Sequence, residues 1–195
     1  YYLSGSTLYV HLSDHASPDA GEIRISGTNH AFTVERDHIY FINLDFTLYG
    51  ASSYAKGIYI NNGSYNLIKG CVFRYNDLGV GIKRASGSNV IEDCTFYDAI
   101  LDWPWSEIKR LGGYEDGGIR FYSPVNERGN IIRRNTFHDD FDGFGVSPES
   151  TSLVTNETDV YDNTVYNMGD DGVEVDGTAS NVRIWGNTFY DILMG

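Results

Sequence analysis

Asn135-Thr136-Phe137, followed six residues later by Gly143-Phe144-Gly145-Val146, is the phrase on which the fold turns. Its aromatic anchor recurs as Phe46, Phe73, Phe96, Phe137 and Phe189, with Val165 standing in once, at steps of 27, 23, 41, 28 and 24 residues. A period in the twenties that survives insertions marks a solenoid, in which each repeat is one turn of a coil and buries its apolar face only against its neighbours. The second half of the phrase recurs as well. Gly57-Ile58-Tyr59-Ile60, Gly79-Val80-Gly81-Ile82, Gly118-Ile119-Arg120-Phe121 and Gly172-Val173-Glu174-Val175 are glycine-led strands with period-two alternation. They predict two inward stacks, Ile58, Val80, Ile119, Phe144, Val173 and Ile60, Ile82, Phe121, Val146, Val175, with the residues between them facing outward.

On this alignment the rungs run over residues 39–60, 67–82, 90–121, 131–146, 160–175 and from 182 onward, in a single domain over 1–195. The first 36 residues fit the repeat less well and read as leading strands. The loop between anchor and glycine swells over about residues 98–117, an insertion that holds Trp103, Trp105 and Tyr114 and the one stretch suited to a short helical turn. The chain starts without Met and stops inside an expected turn, and it is expected to be a segment of a longer protein.

Two residues before each anchor stand Leu44, Cys71, Cys94, Asn135, Asn163 and Asn187. Asn stacked on Asn suits a bend whose amides hydrogen-bond along the coil, and its exchange for Leu and Cys implies an inward position. Cys71 and Cys94 then lie one rung apart, about 4.8 Å. A disulfide is conceivable at that separation, but two buried free thiols acting as small hydrophobes are the expectation.

Twenty-two glycines and fifteen tyrosines against two methionines describe short strands and tight turns rather than helices, and 41% hydrophobic residues suffice for a sizeable core. The formal charge of -13 argues against nucleic acid and anionic lipid as partners, and a polyanionic glycan would need bridging cations. No apolar run reaches the roughly 18 residues of a membrane-spanning helix.

The Asn column, the glycine-led strands and the Asn-x-Phe anchors resemble the right-handed parallel β-helix proteins, which include pectate lyases, polygalacturonases, alginate lyases and epimerases, and phage tailspikes. The likeness covers about residues 37–195. It implies an all-β coil of about six to seven rungs, with the Asn ladder at the corner between second and third strands and the glycine-led strands in the first sheet. It also implies a secreted, periplasmic or cell-surface protein acting on a polysaccharide or oligosaccharide at the outer face of that sheet.

Outward columns on that sheet read Tyr59, Gly81, Arg120, Gly145, Glu174 and Asn61, Lys83, Tyr122, Ser147, Asp176, with Asp77, Asp116, Asp142, Asp170 and Asp171 at the loop edge. Gly81 and Gly145 are read either as floors for a flat sugar ring or as marks of close packing. The densest acids are Asp139, Asp140 and Asp142 beside His138, with Asp170, Asp171, Glu174 and Asp176 one rung later. Like charges so close raise one another's pKa or recruit a cation. Paired carboxylates hydrolyse glycosidic bonds, one protonating the leaving oxygen and the other activating water. The resemblance to polygalacturonases carries over Asp142, Asp170 and Asp171 as catalytic acids, although Asp140-Phe141 stands in place of that family's Asn-Thr. Glu174 and His138 complete the catalytic candidates.

For substrate binding the candidates are Tyr59, Lys83, Arg120, Tyr122, Asp176, Trp103 and Trp105, the indoles either stacking on sugars or anchoring the insertion. Hydrolysis needs no cofactor. The resemblance also admits a lyase or epimerase, with Lys83 or Arg120 as base, Tyr122 as acid and Ca²⁺ on the substrate; Asp139, Asp140 and Asp170 are the candidate Ca²⁺ ligands. The rival from another class is a structural or glycan-binding coil whose acids maintain solubility.

Overall fold

The structure is a computed structural model that describes residues 2–4, 7–9, 27–50, 55–99, 117–124, 127–145, 155–175 and 179–194. Three parallel six-stranded sheets wrap one core, so the chain is an all-β parallel β-helix of about six rungs. The first sheet stacks His30–Val34, Lys56–Asn61, Leu78–Arg84, Gly117–Pro124, Asp142–Gly145 and Val173–Glu174. The second stacks Tyr40–Ile42, Leu67–Lys69, Val90–Glu92, Ile131–Arg133, Asp159–Tyr161 and Arg183–Trp185. Asp45–Thr47, Val72–Arg74, Thr95–Tyr97, Thr136–Asp140, Thr164–Asp171 and Thr188–Met194 form the third.

The anchors explain why the rungs hold register. Phe46, Phe73, Phe96 and Phe137 stack ring on ring at centroid separations of 4.9, 4.7 and 4.7 Å, the strand spacing itself, and all four are buried. The inward stack Ile58, Val80, Ile119, Phe144, Val173 is confirmed by cross-strand pairing, as are the pairs Ile60–Ile82 and Ile82–Phe121. The glycine that leads each strand belongs to the same core. A Cβ on Gly79 would fall 2.5 Å from the Phe96 ring, and one on Gly118 2.4 Å from the Phe137 ring. Phenylalanine and glycine therefore recur together because each ring fills the space that the facing glycine leaves.

Among the described residues, the corners between sheets are turned by residues in the left-handed region. Between second and third sheets these are Asn43, Gly70, Asp93, Arg134, Asp162 and Gly186, with φ between 54° and 66°, mostly residue types that reach this conformation at low cost. The next residue carries the ladder in five rungs, from Cys71 to Asn187, whereas Leu44 in the first rung has no group for it and is 43% exposed rather than inward. Asn163 Nδ2 donates to Ile132 O at 3.1 Å, and its Oδ1 accepts from the Asn135 N–H at 3.0 Å. Cys71 and Cys94 occupy this column as free, buried thiols. A second ladder, unforeseen in the sequence, joins Asn66, Asn89 and Asn130 between first and second sheets.

The sequence reading also missed His30–Val34 as a rung strand. Phe32 pairs with Ile58 and Val34 with Ile60, but Ala31 stands where later rungs have glycine, so the signal was absent. Within the leading segment, Thr7–Tyr9 pairs antiparallel with Tyr2–Ser4. The 100–116 part of the insertion, with its helical turn, Trp103, Trp105, Tyr114 and Asp116, lies outside the described residues, as do Val146, Ser147 and Asp176. Among the described residues no helix is long and apolar enough to cross a membrane.

Candidate functional site

The outer face of the first sheet has the expected central column: Tyr59 pairs with Gly81, Gly81 with Arg120, Arg120 with Gly145, and Gly145 with Glu174. The two glycines are not open floors. A Cβ on Gly81 would lie 2.4 Å from Cδ and Cε of Lys56, and one on Gly145 3.1 Å from Cδ of Arg120. Each glycine is a passage for a long cation from the preceding rung. Lys56 crosses Gly81, its Nζ lying 5.1 Å from the centre of the Tyr59 ring and 4.7 Å from that of Tyr122. Arg120 crosses Gly145 to reach Glu174, two rungs on, and pairs through its other terminal nitrogen with Asp142 Oδ2 at 2.8 Å. Close packing, rather than a seat for a sugar ring, accounts for both glycines.

Lys56 was not singled out by the sequence, yet it stands in a readable column, the residue ahead of each glycine, which runs His30, Lys56, Leu78, Gly117, Asp142. Burial lowers its pKa to about 8, with nearby Lys83 adding to the shift and Asp77 opposing it. Beside it, His30 accepts the Lys56 backbone N–H at Nδ1, 3.2 Å away, and burial with the lysine charge lowers the histidine pKa.

Between pH 8 and the ordinary lysine value of 10.5, the unfolded chain binds a proton at position 56 that the folded chain does not. Stability is therefore expected to rise with pH across this window. Lys56→Met should remove that rise, as measured by urea unfolding of both proteins at several pH values. An equal slope in both proteins would refute the assignment.

The acids gather one rung further on. Asp142, Asp170 and Asp171 each offer a carboxylate oxygen within 4.8 Å of the other two. Asp142 is fixed on both sides: Oδ2 meets Arg120, and Oδ1 accepts the Asp171 backbone N–H at 3.1 Å. Asp142 and Asp170 are buried, whereas Asp171 is half-buried and opens to solvent. Glu174 joins the group through Arg120. The edge column differs from the expected one, because Asp142 pairs with Gly117, which pairs with Leu78, so Asp77 sits one position earlier.

His138, Asp139 and Asp140 are not part of this cluster. His138 lies on the third sheet, stacked between Tyr97 and Tyr166 at 5.0 Å from each, with Nδ1 2.6 Å from Asp139 Oδ2. Asp139 turns the corner at φ 54°. Asp140 is buried, accepts the Phe141 N–H at 2.9 Å, and is raised well above the usual carboxylate range by burial. Of the expected Ca²⁺ ligands only Asp170 lies in the cluster. Asp142, Asp170 and Asp171 do fit that ion: they are hard oxygen donors, and 4.8 Å is within twice the Ca–O distance of about 2.3–2.6 Å. Lys83 and Tyr122 pair across neighbouring rungs next to the central column. Arg120, buried and gripped by two carboxylates, is held as a cation and is unsuited to act as a base.

No match is found among curated proteins or among solved structures. The family model described as "right handed beta helix region" matches residues 10–189, most of the chain. With three parallel sheets on one core and that match, the chain belongs to the right-handed β-helix family.

Proposed function

We propose that this is an extracellular or periplasmic protein that acts on a polysaccharide or oligosaccharide, and that it hydrolyses a glycosidic bond at Asp142, Asp170 and Asp171. The observation that carries the reading is the meeting of three carboxylates from adjacent rungs within 4.8 Å, with Asp171 alone partly open to solvent. Carboxyl groups about 5–5.5 Å apart suit direct attack on the anomeric carbon, whereas about 6.5–9.5 Å leaves room for an intervening water. Which of the two routes is followed is read from the anomeric configuration of the first product, retained or inverted. Asp171 is the group placed to meet substrate, and Arg120 holds Asp142 and Glu174 in position.

A second reading, β-elimination from a uronate-containing chain, draws on Lys56. Its pKa near 8 gives an amine that is partly neutral near physiological pH, on the same face of the sheet. Ca²⁺ is required under this reading only.

The test is a panel of neutral and uronate-containing polysaccharides, assayed with and without EDTA for new reducing ends and for unsaturated products. Asp171→Asn should reduce hydrolysis about 10²-fold or more while leaving the folded fraction unchanged. Unsaturated ends lost with EDTA would point to the lyase. No turnover on any glycan would leave a binding or structural coil.

A further inference from the structure

The ladder between second and third sheets changes chemistry partway along the coil. In three rungs it is asparagine, and in the two rungs before them it is Cys94 and Cys71. The thiols occupy the asparagine's place and make weaker versions of its contacts. Cys94 Sγ accepts the Cys71 N–H at 3.4 Å and lies 3.7 Å from Ile68 O, and Cys71 Sγ lies 3.6 Å from Phe41 O. Sulfur is a weak donor and a weak acceptor. Exchanging amides for thiols at two successive rungs therefore weakens the ladder, at the one spacing that sets two cysteines side by side. The strands that follow pair Val72 with Thr95 and Phe73 with Phe96, which puts both thiols on the same side of neighbouring parallel chains. Their Cα atoms stand about one strand spacing apart, about 4.8 Å, inside the range of about 4.4–6.8 Å seen across disulfides.

We propose that Cys71 and Cys94 form a reversible redox site, closing in oxidising surroundings into a disulfide that staples two consecutive rungs. The oxidant is a small disulfide such as oxidised glutathione, and because each thiol is 1% exposed it meets them when the two rungs part in a local opening. The Cys71 thiolate attacks one of its sulfurs and expels one thiolate; the Cys94 thiolate then attacks the Cys71 sulfur and expels the second. Two electrons pass to the oxidant, which leaves as two thiols with the two protons. Cys71 goes first, because its hydrogen bond with Cys94 and burial push the Cys94 thiol up. Parallel side chains in register hold their Cβ atoms further apart than the roughly 3.8 Å mean of disulfides, so the rungs must draw together and the bond is reducible rather than permanent.

The experiment equilibrates the folded chain with mixtures of oxidised and reduced glutathione without denaturant, then unfolds it in excess N-ethylmaleimide for mass spectrometry. The expected result is a monomer lighter by about 2 Da, the two thiol hydrogens, that resists alkylation, contains a cross-linked pair of peptides and returns to the dithiol with dithiothreitol. Its thermal midpoint should exceed that of the reduced form by several degrees. Cys94→Ser should abolish the mass loss. Two alkylated cysteines after oxidation, a bond formed only when the chain is first denatured, or a disulfide-linked dimer would each overturn the proposal.

Discussion

Arg120→Gln should destabilise the fold by about 3–5 kcal/mol, the range for removing one partner of a buried ion pair. The side chains involved are well covered: Arg120 is 10% exposed, Asp142 3% and Glu174 17%. Without the guanidinium, both carboxylates stay in place beside Asp170 and Asp171 and lose the charge that bridges them. Replacing Arg120 with Lys should rescue only in part, because a single ammonium cannot reach Asp142 and Glu174 together as the planar fork does. The deficit should shrink as pH falls through the carboxylate range, since protonation removes the uncompensated charge from the folded state. Urea unfolding of the three proteins at neutral and acid pH gives the measurement, and a loss below about 1 kcal/mol at neutral pH, the worth of an exposed pair, would show that the pairing does not organise the site.

Gly118→Ala tests the other half of the design, the fit of glycine to ring. The added methyl would lie 2.4 and 2.5 Å from two atoms of the Phe137 ring and 2.7 Å from the carbonyl oxygen of Gly143. Neither neighbour can yield easily, because the ring is clamped by Phe96 on one side and the carbonyl belongs to the next strand. Overpacking of this kind costs about 1–3 kcal/mol or more. Gly169→Ala is the matched control, since its nearest neighbour would be an ordinary 3.6 Å away. Thermal unfolding should separate the two clearly. Similar midpoints would mean that the glycine-led strands owe nothing to the phenylalanine stack.

The same contacts account for what could be read in the chain and what could not. Rung register was legible because strand pairing along a solenoid repeats one local solution, and Phe73, Phe96 and Phe137 mark it unambiguously. Asp142, Asp170 and Asp171 came together in the reading through that register and through the resemblance to polygalacturonases. Alternation fails at a corner, where a left-handed residue redirects the chain. His138, Asp139 and Asp140 were therefore grouped with acids that they do not join. The strand His30–Val34 escaped because Ala31 breaks the glycine pattern, and Lys56 because the column ahead of the glycines had been read through its aspartates alone.

By itself, then, the sequence determined the coil: its period, the inward stack from Ile58 to Val173, its asparagine column and the neighbours each rung must have, all consequences of local periodicity, whereas Val175, expected inward, is 43% exposed. Only the tertiary structure decided what crosses from rung to rung on the outside. Lys56 over Gly81 and Arg120 over Gly145 are long side chains whose direction no periodicity fixes. Each runs where a missing Cβ leaves space, toward an aromatic ring or a carboxylate two rungs away, and that choice depends on the stacked whole.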